Sequence, residues 1–265
     1  MTRIAAKFAE LRKTNRAAFI PFITAGDPDA ETAAAILGRL PAAGADLVEL
    51  GVPFSDPMAD GPAIQASSQR ALKAGMTAHK VLDLVRRFRK ADAATPIVLM
   101  GYYNPIHAYG TARFAKDAAA AGVDGLITVD LPPEEDEVLR APASAHGIDV
   151  VRLATPTTDE ARLKTVLDGA SGFLYYVSIA GVTGTRSYAR GDVEQAVARV
   201  KARGSLPCCV GFGIRTPEQA AQIARFADGA VVGSAIVARL QETKSIENVV
   251  GFCGDLAKAV HGARL

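Results

Sequence analysis

Eight short apolar runs, each followed by a stretch of helical periodicity, constrain this chain more than any other feature. They lie at Ala18–Ile23, Leu47–Leu50, Ile97–Gly101, Gly125–Val129, Val150–Leu153, Phe173–Val177, Cys208–Phe212 and Gly229–Val232. They are continuously apolar rather than alternating, the pattern of parallel strands covered by helices. Helical patterns separate them at Asp29–Leu40, Ala78–Phe88, Phe114–Ala121, Glu134–Ala145, Asp159–Leu167, Val193–Arg203 and Glu218–Ala227; Ala235–Leu240 and Ile246–Val260 follow the last strand. Eight β/α units in 265 residues predict a (β/α)8 TIM barrel, one domain over residues 1–265. A doubly wound open sheet is the alternative, because spacing does not prove closure. Ile4, Phe8 and Leu11 make one apolar face, so the basic N-terminus reads as an N-terminal helix rather than a transit peptide.

Punctuation residues fit the same frame. Asp27-Pro28 and Thr216-Pro217 each offer a side-chain acceptor at a helix N-cap with Pro at the first helical position. Gly44, Gly122, Gly147 and Gly204 fall after helices and before strands, where a left-handed C-cap is wanted. Two units are stretched, which predicts extended loops after strands 2 and 6: GVPFSDPMADGPAIQASSQRALKAGM and SIAGVTGTRSYARGD. Both leave the C-terminal ends of strands, the face where barrel enzymes hold their chemistry.

Composition excludes several function classes. A net charge of +2 lacks the cationic excess of a nucleic-acid binder, and Arg86, Arg87, Arg89 and Lys90 read as a solvated helix face. Three cysteines make no disulfide framework in a chain this long, and Cys208 and Cys209 read as buried strand residues. No apolar run reaches the length of a membrane span, and a reducing cytoplasm is the default compartment.

Glu49 lies inside a strand pattern, where alternation puts it on the same side as Leu47 and Gly51. Near the top of a barrel strand, that side is the interior of the mouth. Desolvation there raises a carboxyl pKa toward neutrality and suits it to proton transfer; a structural Glu paired with an Arg is the plain alternative. Asp60 follows in Met58-Ala59-Asp60-Gly61-Pro62. Alone it reads as a turn or N-cap residue; with Glu49 it makes a pair of acids able to divide acid and base roles. Asp56 reads first as a turn residue or contact surface. Late strand ends carry Gly181-Val182-Thr183-Gly184, Gly211-Phe212-Gly213 and Gly233-Ser234, the last opening a short helix. Such glycines let main-chain N–H groups approach a phosphate, and barrels commonly build phosphate sites after strands seven and eight. Phe22, Tyr102, Tyr175 and Phe212 at strand ends suggest a flat apolar ligand portion, although core packing explains each singly. No lysine lies at a strand top, and of the four histidines only His107 is near one, so neither a Schiff base nor a metal site is expected.

The run Val48-Glu49-Leu50-Gly51-Val52-Pro53-Phe54-Ser55-Asp56-Pro57-Met58-Ala59-Asp60-Gly61-Pro62 closely resembles the signature of the tryptophan synthase alpha chain family. So do Thr24-Ala25-Gly26-Asp27-Pro28, Gly101-Tyr102-Tyr103-Asn104-Pro105, Gly181-Val182-Thr183-Gly184 and Gly211-Phe212-Gly213-Ile214, in the same order from about Phe19 to Val237. The resemblance implies a barrel lyase that cleaves indole-3-glycerol phosphate to indole and glyceraldehyde 3-phosphate by acid/base retro-aldol chemistry. It further implies a heterotetramer with a beta chain, which carries the pyridoxal phosphate and receives indole; no cofactor is expected in this chain. Glu49 and Asp60 match the family's catalytic acids. Phe22, Tyr102, Ile127, Val129, Tyr175 and Phe212 match its indole pocket, with Thr183 its lid residue. Gly184, Gly213, Gly233 and Ser234 match its phosphate groups, and Pro53, Asp56, Pro57 and Asn104 its partner-facing side. The stretch after Asn104 (Pro105-Ile106-His107-Ala108-Tyr109) departs from the family pattern. The competing readings are a sugar-phosphate epimerase, which would need strand-end His and Asp metal ligands, and a silent barrel that only activates a partner.

Overall fold

The structure is a computed structural model that describes residues 1–178, 190–211 and 213–264, with only the main chain of Arg190. Eight parallel strands close in sequence order into a barrel. They are β1 (Ala18–Thr24), β2 (Val48–Gly51), β3 (Ile97–Gly101), β4 (Gly125–Thr128), β5 (Asp149–Ala154), β6 (Leu174–Val177), β7 (Cys208–Gly211) and β8 (Gly229–Val232). Pairing of β1 with β8, Ala18 to Gly229 through Pro21 to Val232, completes the ring and excludes the open sheet. Alternation divides each strand between two cores. Ile20, Phe22, Leu47, Val98, Ile127, Val151 and Phe173 fill the interior. Phe19, Val48, Leu50, Leu99, Leu126 and Val232 pack outward against helices.

Twelve helices lie among the described residues. The first, α1 (Arg3–Lys13), buries the three residues its periodicity singled out, Ile4, Phe8 and Leu11. It does so in the interior cluster, where Phe8 meets Phe173 with ring centroids 5.8 Å apart. Arg3 to Asp124 at 2.8 Å and Thr2 to Asp149 at 2.7 Å fasten it across the strand N-termini, closing that end of the cylinder. The outer layer follows as α2 (Ala30–Arg39), α3 (Pro62–Lys73), α4 (Ala78–Arg89), α5 (Tyr103–Tyr109), α6 (Thr111–Ala121) and α7 (Glu137–Ala145). It is completed by α8 (Glu160–Leu167), α9 (Arg190–Arg203), α10 (Pro217–Ala224), α11 (Ser234–Thr243) and α12 (Ile246–His261).

Three local expectations change. Most of the stretch after β2 is not loop: Pro62 to Lys73 form α3, started by Pro at its first position. Its buried face is Ile64, Ser67, Ser68 and Ala71, so two serines stand where an apolar stripe is sought. Ser67 satisfies its hydroxyl against Thr24 at 2.6 Å and the Ile64 carbonyl at 2.8 Å. Asp27 is not a helix cap; Asp29 caps α2 by accepting from the Thr32 N–H. The Asp27 carboxylate instead takes a forked pair from Arg70 of α3, at 2.7 and 2.8 Å. Thr216 does cap α10, accepting from the Gln219 N–H. Gly44, Gly122 and Gly147 take the positive φ expected of them, whereas Gly204 does not.

Candidate active site

A cavity of about 390 Å³ opens at the C-terminal end of the barrel. Glu49 stands in its floor. β2 presents Glu49 inward, in register with Phe22 on β1 and Val98 on β3. The side chain is fully buried, and among the described residues neither carboxyl oxygen has a hydrogen-bond partner. Burial alone raises its pKa to about 8, because the charged form loses water and gains nothing in exchange. The arginine-paired structural Glu is therefore not what is found. Two glycines make room for the rings around it. A Cβ on Gly51 would lie 2.5 Å from the Phe22 ring, and one on Gly211 would lie 2.0 Å from the Tyr175 hydroxyl.

Asp60 reaches the same cavity from the loop between β2 and α3. It is not a helix cap, since Gly61 occupies the N-cap of α3. The loop is held at several points. The Gln65 side chain donates to the Asp60 carbonyl at 2.8 Å, and the Asp60 N–H bonds the Pro57 carbonyl at 3.1 Å. The Ala59 N–H donates to the Tyr102 hydroxyl at 3.0 Å, and Phe54 packs on the Tyr102 ring at 5.4 Å between centroids. Partial burial raises the Asp60 pKa to about 6, and a hydrogen bond from Tyr102 pulls the other way. The two acids thus straddle neutrality, Glu49 protonated and Asp60 ionised.

Across the cavity stand Gly213, Gly233 and Ser234. Gly213 has φ +83°, and Gly233 caps α11, whose first residue is Ser234. The opening turn of a helix carries unsatisfied N–H groups and the positive end of its dipole, so this wall suits an anion. Phe22, Met100 and Tyr175 supply the apolar wall. Val129 and Tyr102 line a small pocket continuous with Phe22 and Asp60, while Ile127 lies buried in the barrel core and lines neither. Thr183, Gly184 and Phe212 lie outside the described residues. On the rim, Asp56 and Asn104 are exposed, Pro57 is half-buried and Pro53 is buried. Met58, an apolar side chain left 68% exposed, stands beside them.

Sequence reasoning did not single out Gln65, Arg215 or Met58. Gln65 lies one helical turn after Gly61-Pro62, where a side chain can reach back over the preceding loop. Arg215 was readable as a cation two residues after Gly213, but the search for nucleophiles and metal ligands passes over arginine. Among the described residues no three His, Cys, Asp or Glu side chains converge as a metal site, and no helix is long and apolar enough to cross a membrane.

Comparison with known proteins gives the family and the fold. The sequence pattern of the family described as "Tryptophan synthase alpha chain" matches residues 8–260. The chain belongs to the tryptophan synthase alpha chain family. Tryptophan synthase subunit alpha from Legionella pneumophila str. Paris is similar at 40% identity, with 98% of each chain covered and a TM-score of 0.91. A chain of Mycobacterium tuberculosis tryptophan synthase shares 39% identity over 98% of each chain, also with a TM-score of 0.91. As an alpha chain the protein is a carbon–carbon lyase of tryptophan biosynthesis, cleaving indole-3-glycerol phosphate.

Proposed function

We propose that Glu49 and Asp60 carry out this cleavage by acid/base retro-aldol chemistry, releasing indole and glyceraldehyde 3-phosphate. The observation that carries the reading is Glu49: a fully buried carboxyl with no hydrogen-bond partner among the described residues, its pKa raised to about 8, at the floor of a cavity that also holds Asp60. Direct scission of the bond between indole C3 and the side chain would expel a carbanion from an electron-rich ring. Protonation comes first. Glu49, neutral at pH 7, gives its proton to C3, and the ring becomes an electron-poor indolenine cation. Asp60, ionised, stabilises the positive charge at the ring N–H. Glu49, now a carboxylate, removes the proton of the adjacent side-chain hydroxyl. The C–C bond breaks, its electrons return to the ring to give indole, and the carbon bearing oxygen becomes the aldehyde. Glu49 ends protonated, ready for another turn.

Phe22, Tyr102, Val129 and Tyr175 flank the indole in this reading, with Ile127 packed beneath them in the barrel core, and the family resemblance adds Phe212 to the pocket and Thr183 as its lid residue. Gly213, Gly233 and Ser234, with Gly184, take the phosphate through main-chain N–H groups. The chain acts with a beta chain in an alpha2-beta2 heterotetramer, and the pyridoxal phosphate belongs to that partner. Pro53, Asp56, Pro57 and Asn104 mark the docking side, and the exposed Met58 beside them gives the rim an apolar contact suited to burial by a partner.

The test is indole release from indole-3-glycerol phosphate by the purified chain, with and without a beta chain. Glu49→Gln lowers kcat by about 10²–10⁴-fold while the fold survives, the range for loss of one general acid/base. Asp60→Asn lowers kcat strongly with little effect on binding of inorganic phosphate. Wild-type rates in Glu49→Gln would remove the acid/base assignment.

A further inference from the structure

The phosphate wall carries a charge problem. Among the described residues that line the cavity, two are acids, Glu49 and Asp60, and one is a base, Arg215. A phosphate dianion entering beside an ionised carboxylate is repelled by it, and a cation on the same wall offsets that repulsion beyond what the helix terminus supplies. Arg215 stands two residues beyond Gly213 and just before Thr216, the N-cap of α10. Its main-chain donor is already engaged: the Arg215 N–H donates to the Gln219 side-chain oxygen at 2.7 Å, while the Gln219 N–H donates back to the Thr216 hydroxyl at 3.3 Å. That reciprocal pair fixes the backbone at residue 215 and leaves its side chain as the group it can offer a ligand. The side chain is exposed, and among the described residues no carboxylate lies within ion-pair distance of it, although most other arginines here are paired.

We propose that Arg215 is a substrate-binding residue, its guanidinium closing over the phosphate seated on Gly213, Gly233 and Ser234. The proposal rests on the phosphate reading above and adds to it the one cation that lines this cavity among the described residues. A guanidinium presents a planar fork of donors that matches two phosphate oxygens, which an ammonium cannot reproduce. Charge attraction also draws the dianion toward the mouth before contact.

Steady-state indole release by wild type, Arg215→Ala, Arg215→Lys and Arg225→Ala tests this, together with inhibition by inorganic phosphate. Arg225 caps the far end of α10 and does not line the cavity, so its removal controls for net charge. Arg215→Ala raises KM for indole-3-glycerol phosphate at least tenfold, weakens phosphate inhibition in parallel, and flattens the fall of kcat/KM with added salt. Arg215→Lys recovers part of the KM and most of the salt dependence, and Arg225→Ala stays within twofold of wild type in KM. A KM and a phosphate inhibition constant within twofold of wild type in Arg215→Ala would overturn the role of Arg215 while leaving the lyase reading intact. A wild-type chain that neither releases indole nor is inhibited by phosphate would overturn the underlying reading and this proposal together.

Discussion

Glu49 and Asp60 differ in charge state because they differ in solvent, and the rate follows from that difference. Activity that needs Glu49 protonated and Asp60 ionised rises as pH passes about 6 and falls as it passes about 8. A bell-shaped profile of kcat/KM with limbs near those values is the expected outcome; a flat profile from pH 5 to 9 would contradict it. The same burial bears on stability. The folded pKa of Glu49 lies above its ordinary value of 4.5, so the folded state binds the proton more tightly than the unfolded one. The stability this contributes is complete below pH 4.5 and is lost as pH rises through about 8, at roughly 1.4 kcal/mol per pH unit. Glutamine has no proton to lose, so urea midpoints for Glu49→Gln and wild type diverge in favour of the variant between pH 5 and pH 8. Glu49 was legible in sequence because a charged residue inside an apolar strand is conspicuous. Gln65 was not, because a polar residue near a helix start looks like surface until the loop it holds is seen.

At the scale of elements, α3 connects the chemistry to the frame. Near its start Gln65 holds the Asp60 carbonyl, its middle packs Ser67 on Thr24, and its end holds Asp27 through Arg70. Tyr102 supports the loop from the opposite side, accepting from the Ala59 N–H and lowering the Asp60 pKa. Tyr102→Phe removes both interactions, so Asp60 ionises less readily. The acid limb of the pH profile then moves upward from about 6, whereas a purely apolar role for the ring would leave it in place. The strands were readable because burial on both faces makes them continuously apolar. The helices α3 and α5 were not, for two reasons. Ser67, with internal hydrogen-bond partners, and Ser68 occupy a buried face of α3. In α5 only Ile106 is buried among its seven residues, so periodicity has too little to mark. Carboxylate roles were likewise misread at Asp27, where a cap and an ion pair call for the same residue beside the same proline.

At the scale of the molecule, the two ends of the barrel have different duties. The N-terminal end is packed shut by α1, with Ile4, Phe8 and Leu11 in the interior cluster. Phe8→Ala opens a void against Phe173 and costs about 3–5 kcal/mol, read as a shift in urea midpoint. KM for the substrate stays near the wild-type value, since the cavity lies at the other end. A simultaneous tenfold change in KM would show that the two ends are coupled. The general plan was legible from the eight repeats, and closure was settled by the β1–β8 register, which no spacing in the chain encodes.

The stoppered end makes the vessel a cul-de-sac. Among the described residues the cavity opens only on the side away from that stopper, so a protein seated on the threshold would stand over the way in and the way out. A neighbour docked there would need no contact with Glu49 to govern its traffic.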